Sequence, residues 1–299
     1  MTRTYLAGVE TGGTKILASL RDPESGETIA NRKWATGSAE QAADDLLGFF
    51  TSKVHGDGRL AAVGMAAFGP LIVDPDSADY GQMQATTKPG WQGSNLRRSL
   101  EKRLKIPVMV DTDVSAAAIA EQKLGAGGGL PSIAYVTVGT GIGAGLAYRG
   151  RSLVGALHPE AGHLRLVRRA DDDVPSVCSF HRDCAEGLAS GPAVQQRLGG
   201  RKELAEDPQL IELVAGYLGQ LAAALVLAWS PNRIVWGGGV IGAAPMMAAI
   251  EGAMRTSLGG YGSGPAVCLP GFCVPARLEN SGLEGALLMA QEVAAGRYR

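Results

Sequence analysis

The chain has 299 residues, of which 45% are hydrophobic, and its 28 basic and 29 acidic side chains give a net charge of −1. This length and composition favour one two-lobed protein with a large core over several independent modules. A net charge near zero creates no positive field that would attract nucleic acid or an anionic membrane, so neither is expected as a partner. The start of the chain does not read as a secretion signal, the longest apolar run covers only residues 221–229, and four cysteines do not suggest a disulfide framework. We therefore expect a cytoplasmic protein.

The predicted elements begin with a strand at 4–10, a glycine turn and a returning strand at 15–22, followed by a third strand. Ser38 and Gln41 are spaced as a capping box and predict the start of a helix. The later elements follow in chain order: a buried strand at 60–70, a helix at 94–105, a strand at 106–113 with a helix after it, strand–turn–strand at 132–150, helices through 185–198 and 203–229, a strand at 232–239, a helix at 245–259, a strand near 266–276 and a helix at 283–296.

One pattern occurs twice: strand, Gly/Thr turn and strand at the start of the chain, and again about 130 residues later. Two copies of one supersecondary unit predict a duplicated α/β architecture. We assign residues 1–111 with about 282–299 to a small lobe. Residues 112–281 form a large lobe that includes the loop 158–190.

Glycine is in excess, with 43 residues, and three glycine clusters follow predicted strands: "ETGGTK" at 10–15, "VGTGIGAG" at 138–145 and "WGGGV" at 236–240. Glycine lets backbone N–H groups approach a ligand closely, so these turns can cradle phosphate oxygens. Each turn alone is more simply an ordinary turn, but three at strand ends in a duplicated frame favour a nucleotide site. The chain has no GxxxxGK[ST], which argues against a P-loop protein.

Two aspartates, Asp111 and Asp113, stand where a strand meets a helix. Aspartate at such a junction commonly caps the helix, and we expect one of the two to do so. The other is well placed to act as a general base.

Three of the four histidines and two of the four cysteines lie at residues 158–184. His163, Cys178, His181 and Cys184 supply the four nitrogen and sulfur ligands of a closed, structural zinc site. A Cys178–Cys184 disulfide or unrelated surface residues are the alternatives. If zinc clamps this loop, two flanking carboxylates, Glu160 and Glu186, become fixed acceptors for sugar hydroxyls. His158 is expected to be structural, and Cys268 and Cys273 to be buried thiols in a strand.

Taken together, the segments "GVETGGTK", "FGP", "TTKPGW", "DTDVSAAAIAE", "VTVGTGIGAG", "HPEAGH", "EGLASGP" and "WGGGV" resemble the ROK family of sugar kinases over essentially the whole chain. The segments "TKPGW" and "DTDV", the C-x2-H-x2-C spacing and Glu10 point to the bacterial fructokinase branch. The resemblance implies a duplicated actin-like ATPase fold, related to ribonuclease H, with a cleft between two lobes and a zinc-stabilised loop.

The resemblance also implies roles for individual residues. Asp113 would take the proton from the attacking sugar hydroxyl, and Asn95, Asp113, Glu160 and Glu186 would bind the sugar. The residues implied to bind ATP and its Mg²⁺ are Glu10, Gly12, Gly13, Thr14, Lys15, Thr140, Gly141, Pro192, Gly237, Gly238, Gly239, Val240 and Ile241. The implied reaction is ATP-dependent phosphorylation of the 6-hydroxyl of D-fructose by a homodimer.

Two residues depart from the family pattern. At the position of Ser115 the family usually has Asn, and at the position of Thr112 glucokinases have Asn. The change at Thr112 keeps a glucokinase, a mannokinase or a broad hexokinase open as alternatives. A sugar-responsive regulator and a non-catalytic sugar-binding scaffold are less favoured, because the composition is not basic and both glycine turns accompany Asp113.

Overall fold

The computed structural model describes residues 3–54, 58–86, 88–200, 203–261 and 264–297. The strands are β1 (Thr4–Thr11), β2 (Lys15–Arg21), β3 (Thr28–Ala35), β4 (Arg59–Ala67), β5 (Val108–Thr112), β6 (Ser132–Val138), β7 (Ile142–Tyr148), β8 (Arg151–Ser152), β9 (Ile234–Gly237) and β10 (Cys273–Pro275). The helices are α1 (Ala39–Lys53), α2 (Leu96–Leu104), α3 (Asp113–Lys123), α4 (Ala185–Ala189), α5 (Gly191–Leu198), α6 (Pro208–Trp229), α7 (Met246–Leu258), α8 (Pro265–Cys268) and α9 (Ser281–Ala294).

The chain divides into two compact units, each built from separate stretches of sequence. The first unit contains Met1–Ala120, Ser152–His158 and Leu278–Arg299, and the second contains Glu121–Arg151 and Pro159–Arg277. The chain first passes from the first unit to the second between Ala120 and Glu121, inside α3. Ala116, earlier in this helix, packs with Ala66 and Ala286 of the first unit.

The first unit has a sheet in the order β3-β2-β1-β4-β5. The first three strands along the chain pair antiparallel, and β1, β4 and β5 pair in parallel. The central strands β1 and β4 are buried along most of their length, as expected for strands covered on both faces, whereas β3 is mostly exposed. The predicted cap of α1 is present, because the Ser38 hydroxyl accepts a hydrogen bond from the Gln41 N–H at 3.2 Å.

The second unit has a sheet in the order β10-β9-β6-β7-β8, in which β6 and β7 pair antiparallel and β6, β9 and β10 pair in parallel. Each sheet therefore contains the same arrangement, a glycine-linked hairpin whose first strand also pairs in parallel with a later strand. This arrangement is the duplicated supersecondary unit that the sequence predicts.

Helix α6 is the one helix in the described part of the chain that is long and apolar enough to cross a membrane by length and composition. Two observations assign it to the core instead. In its most apolar window 67% of the residues are buried, and residues such as Leu218 and Leu221 belong to the main core cluster of the second unit.

The structure corrects the prediction of a strand near residues 266–276. Pro265–Cys268 forms the short helix α8, and only Cys273–Pro275 pairs in the sheet. Pro270 and Gly271, the latter with φ +84°, interrupt the apolar run with a turn. Cys273 is buried as expected, but Cys268 is exposed, so the prediction of a buried thiol is wrong there.

The predicted helix at 185–198 is also divided, since α4 ends at Ala189 and α5 begins at Gly191. Pro192 lies in the first turn of α5, where proline is tolerated because the first helical N–H groups have no intrahelical partner. The predicted helix at 203–229 likewise begins with a 3-10 turn at Leu204–Glu206 before α6.

We expect Gly64→Ala to destabilise the first unit strongly. A Cβ at Gly64 in β4 would overlap the carbonyl oxygen of Ala286 in α9 and lie 2.8 Å from the Ala290 nitrogen. Helix backbone cannot move aside locally, so we expect a loss of about 2–3 kcal/mol, comparable to overpacking a core. The measurement is the free energy of unfolding in urea.

Gly48→Ala is the matched control. Gly48 is exposed within α1, and a Cβ there would meet no atom within 4 Å. Alanine favours the helix over glycine, so this variant should be as stable as the wild type or up to about 1 kcal/mol more stable. Equal stability of the two variants would show that α9 does not pack on Gly64 as described.

Candidate active site and metal centre

The glycine turn of the first unit joins β1 to β2. The Gly12 N–H donates to the Lys15 carbonyl at 2.9 Å, and the Thr36 hydroxyl donates to the Gly12 carbonyl at 2.7 Å. Gly13, Thr14 and Lys15 are exposed. The turn is thus fixed by its carbonyl groups while three of its residues remain accessible to a ligand.

Lys88 is a second donor to this turn, with its ammonium 2.6 Å from the Gly13 carbonyl oxygen. This lysine lies within the "TTKPGW" segment, and sequence reasoning assigned it no role. The motif combines a cation with a Pro-Gly pair that favours a turn, and this combination could have marked Lys88 as a functional candidate.

Glu10 lies at the end of β1 beside the start of α9. Burial raises the pKa of its carboxyl group, and the Lys15 ammonium and a hydrogen bond from the Leu283 N–H act in the opposite direction. Leu283 is in the first turn of α9, where the helix dipole favours a negative charge. Gly282 keeps this carboxylate close to the helix, because a Cβ there would lie 2.9 Å from Glu10 Cδ.

At the junction of β5 and α3, the capping role that the sequence predicted for one of the two aspartates belongs to another residue. Neither accepts the capping hydrogen bond, because the Thr112 hydroxyl accepts it from the Ser115 N–H at 3.1 Å. Asp111 is buried, with hydrogen bonds from the Thr112 N–H at 2.7 Å and the Ser152 hydroxyl at 2.5 Å. Burial raises the pKa of the Asp111 carboxyl.

Asp113 is only partly buried and is the first residue of α3, where its carboxylate accepts a hydrogen bond from the Val114 N–H at 2.9 Å. Of the two aspartates, Asp113 is therefore the one whose carboxylate a substrate can reach. The buried network of Asp111, Thr112 and Ser115 fixes the strand-to-helix turn that carries it.

Asn95 is the N-cap of α2. Its side-chain oxygen accepts from the Arg98 N–H at 2.8 Å, and its side-chain nitrogen donates to the Tyr80 carbonyl at 2.8 Å. An amide side chain has two donor hydrogens and two lone pairs, so one of each is left for another partner. The structure gives Asn95 a clear capping role that the sequence alone did not reveal.

The second unit carries the other glycine turn, between β6 and β7. The Gly139 N–H donates to the Gly141 carbonyl at 2.9 Å, and the Gly191 N–H donates to the Gly139 carbonyl at 2.7 Å. Thr140 is exposed at the tip. As in the first unit, the turn is held by its backbone and presents its tip to solvent.

Two further glycine segments meet this turn. Gly238, with φ +91°, packs so closely on β6 that a Cβ would overlap the backbone of Val138. A Cβ at Gly191 would lie 2.8 Å from the Gly139 carbonyl oxygen. The structure therefore brings the predicted residues Gly237, Gly238 and Gly239, and Pro192 beside Gly191, to the same end of β6. Val240 and Ile241, also predicted to contact the nucleoside, are buried in the core of the unit.

The four predicted metal ligands form one cluster. The ligand atoms of His163, Cys178, His181 and Cys184 all lie within 4.8 Å of one another, and both histidines present Nδ1. Three sulfur-to-nitrogen distances within the cluster are 3.7–3.8 Å. Tetrahedral coordination with bonds of about 2.0–2.3 Å places such donors roughly 3.6 Å apart, so the cluster fits one tetrahedral metal ion.

Neither alternative for this cluster agrees with the structure. Cys178 and Cys184 are not in a disulfide, and the residues are not scattered over the surface. Burial raises the pKa of the Cys184 thiol to about 11, and a bound cation would offset this cost of ionisation. His158 lies outside the cluster, where it is buried and accepts a hydrogen bond from the Leu71 N–H at 3.2 Å.

The two carboxylates that flank the cluster have different surroundings. Glu160 is exposed, and its carbonyl starts the 3-10 turn Ala161–His163. Glu186 is partly buried, with Oε2 accepting from the Ile142 N–H at 3.0 Å and Oε1 3.9 Å from His163 Nε2. No sequence pattern indicated the contact between Glu186 and β7.

Comparison with known proteins agrees with this architecture. A model described as "ROK family" matches residues 6–293. The putative fructokinase of Bacillus subtilis (strain 168) is 35% identical, with 98% of this chain and 99% of that protein covered. The fructokinase of Pediococcus pentosaceus is 34% identical, with 96% and 97% covered. The glucokinase of Halalkalibacterium halodurans is 26% identical, with 80% and 82% covered.

Solved structures show the same fold. The ROK hexokinase from Thermus thermophilus superposes with a TM-score of 0.78 at 30% identity, covering 98% of this chain and 99% of that one. The ROK family glucokinase from Streptomyces griseus, in complex with glucose and AMPPNP, gives a TM-score of 0.75 at 26% identity, with 96% and 99% covered.

We expect Cys178→Ser to abolish metal binding at the cluster. The wild type should carry about one tetrahedrally bound metal ion per chain, and loss of one thiolate should remove most of it and lower the melting temperature. Metal content of the purified protein is measured by inductively coupled plasma mass spectrometry. Cys268→Ser, which changes an exposed cysteine outside the cluster, should retain the metal. Equal metal content in both variants would show that the cluster is not the binding site.

Proposed function

Because the chain belongs to the ROK family, we propose that it is a fructokinase that transfers the γ-phosphate of ATP to the 6-hydroxyl of D-fructose, giving fructose 6-phosphate. The support for fructose is the higher identity to relatives named fructokinase, 34–35%, than to relatives named glucokinase, 26–30%. The support for ATP is the structural similarity to a glucokinase solved with AMPPNP, an ATP analogue.

The observation that carries this proposal is the pair of accessible glycine turns at the ends of β1 and β6. Phosphoryl transfer develops charge on the oxygens of the transferred group, so catalysis depends mainly on alignment and on groups that stabilise that charge. We assign two groups of turn residues to nucleotide phosphates: Gly12, Gly13, Thr14 and Lys15 in the first unit, and Thr140 and Gly141 in the second. The glycine segment Gly237 to Gly239 and Pro192 would contact the nucleoside.

Asp113 is the proposed general base. Its partly exposed carboxylate at the start of α3 would align the sugar hydroxyl and accept its proton as the phosphoryl group is transferred. Asp111, buried two residues earlier, holds the turn that carries Asp113.

The sugar would be bound by Asn95, Glu160 and Glu186 together with Asp113. Asn95 has one amide hydrogen and one lone pair left after capping α2, which suits a hydroxyl that both donates and accepts. The exposed Glu160 carboxylate is accessible, and Glu186 retains accepting capacity beyond its bond from the Ile142 N–H. Carboxylate and amide groups of this kind discriminate between hexoses by a few hydrogen bonds.

Two metal ions belong to this proposal. Mg²⁺ would accompany ATP near Glu10 and neutralise phosphate charge. The cluster of two thiols and two imidazoles suits Zn²⁺, and because all four positions are filled by protein its role would be structural. We further propose that the protein is cytoplasmic and acts as a homodimer.

A coupled ADP-release assay with MgATP tests the proposal. The wild type should turn over fructose, with a higher kcat/KM than for glucose, mannose or N-acetylmannosamine. Asp113→Asn should lose about 10²–10⁴-fold in kcat because it removes the proton acceptor, while its affinity for fructose changes little.

Asp76→Asn is the control for a loss of one negative charge, since Asp76 is exposed in a loop of the same unit, and it should retain wild-type kcat. A product other than fructose 6-phosphate, or no turnover of any hexose, would contradict the proposed reaction. Near-normal kcat in Asp113→Asn would contradict only the assigned base.

A further inference from the structure

One short segment holds the Gly139–Gly141 turn from both sides. At one side the Gly191 N–H donates to the Gly139 carbonyl at 2.7 Å. At the other, Glu186 Oε2 accepts from the N–H of Ile142, the residue after the turn, at 3.0 Å. Glycine at position 141 leaves room for this carboxylate, since a Cβ there would lie 2.6 Å from Glu186 Oε2. The conformation of the turn is therefore set by where residues 186 and 191 lie.

This segment begins at a ligand of the metal cluster. Cys184 is the N-cap of α4, and its sulfur accepts a hydrogen bond from the Gly187 N–H at 3.3 Å. Gly187 itself packs against the cluster loop, where a Cβ would lie 3.0 Å from Cys178 Cβ. The α4 helix is only five residues long, and its far end at Ser190 leads directly to Gly191. A shift of Cys184 therefore moves both contacts to the turn.

A second connection runs through side chains. His163 directs Nδ1 toward the sulfurs of Cys178 and Cys184, which leaves Nε2 on the other side of the ring, 3.9 Å from Glu186 Oε1. Metal coordination through Nδ1 leaves the proton on Nε2, and a carboxylate on that side commonly orients the ring. At 3.9 Å the two groups are neighbours without a direct hydrogen bond. Glu186 thus faces a metal ligand with one oxygen and the turn with the other.

We propose that the Cys/His cluster, acting through α4 and Glu186, sets the conformation of the Gly139–Gly141 turn and thereby couples metal occupancy to nucleotide affinity. Glu186 is then a positioning residue for the nucleotide turn, in addition to its proposed contact with the sugar. The inference rests on the proposed function in one respect, that the ligand of this turn is an adenine nucleotide. It does not depend on which hexose accepts the phosphoryl group.

The test measures binding of MgADP by isothermal titration calorimetry with no sugar present. Glu186→Met keeps the length of the side chain but provides no acceptor for the Ile142 N–H, and it should raise the dissociation constant about tenfold or more. Glu186→Gln retains an amide oxygen for that N–H and should stay within about threefold of the wild type. Both variants should keep their bound metal, because Glu186 is not a ligand.

A second measurement determines the binding of MgADP by Cys178→Ser, and the metal content is measured on the same sample. This variant should also weaken MgADP binding about tenfold, and the double variant with Glu186→Met should lose less than the product of the two single effects. Ile250→Ala is the stability control, since Ile250 is fully buried in α7, a helix of the same core that packs mainly on α6. It should lower the melting temperature without changing the dissociation constant measured well below it. If Cys178→Ser does not fold, wild-type protein stripped of metal by a chelator replaces it in this measurement, while Glu186→Met and Glu186→Gln test the contact between Glu186 and the turn.

An unchanged dissociation constant for MgADP in Glu186→Met, with only the KM for fructose raised, would overturn the inference and restrict Glu186 to the sugar. A wild type that binds no MgADP would also overturn it. A wild type that binds MgADP but phosphorylates no fructose would contradict the proposed function alone, and the effect of Glu186→Met on MgADP would still support the coupling.

Discussion

The hydrogen bonds that hold the Gly139–Gly141 turn are the constraint on which the candidate site depends. A glycine turn has many accessible conformations, and it binds phosphate well only if its N–H groups are already oriented. Here the Gly191 N–H and the Glu186 carboxylate fix the turn at its two ends. Glu186 and Gly191 both belong to the segment that starts at Cys184, a ligand of the metal cluster. The position of this segment therefore determines the position of the turn.

The first unit fixes its corresponding turn by different means. The hairpin has the same topology, but the Thr36 hydroxyl and the Lys88 ammonium bind its carbonyl groups, and Glu10 contacts the start of α9. The two units therefore share the topology of the hairpin and differ in the groups that hold its turn. In our proposal the turn of the second unit responds to the metal cluster, and the turn of the first unit does not.

The sequence predicted the features that depend on local pattern. Alternating and continuous apolar runs identified both hairpins, the spacing of Ser38 and Gln41 identified a cap, and the C-x2-H-x2-C spacing with His163 identified the metal cluster. It failed where the outcome depends on tertiary contacts. Thr112 rather than an aspartate caps α3 because the helix begins at Asp113, and the bond between Glu186 and Ile142 joins residues that are 44 positions apart.

The central claim is that the glycine turns bind nucleotide phosphates, and a crystal structure of the protein grown with MgADP and fructose tests it most directly. The account predicts ADP phosphate oxygens within hydrogen-bonding distance of backbone N–H groups in residues 12–15 and in residues 139–141, with a fructose hydroxyl at the carboxylate of Asp113. Phosphates bound at any other part of the chain, with both turns left in solvent, would contradict it.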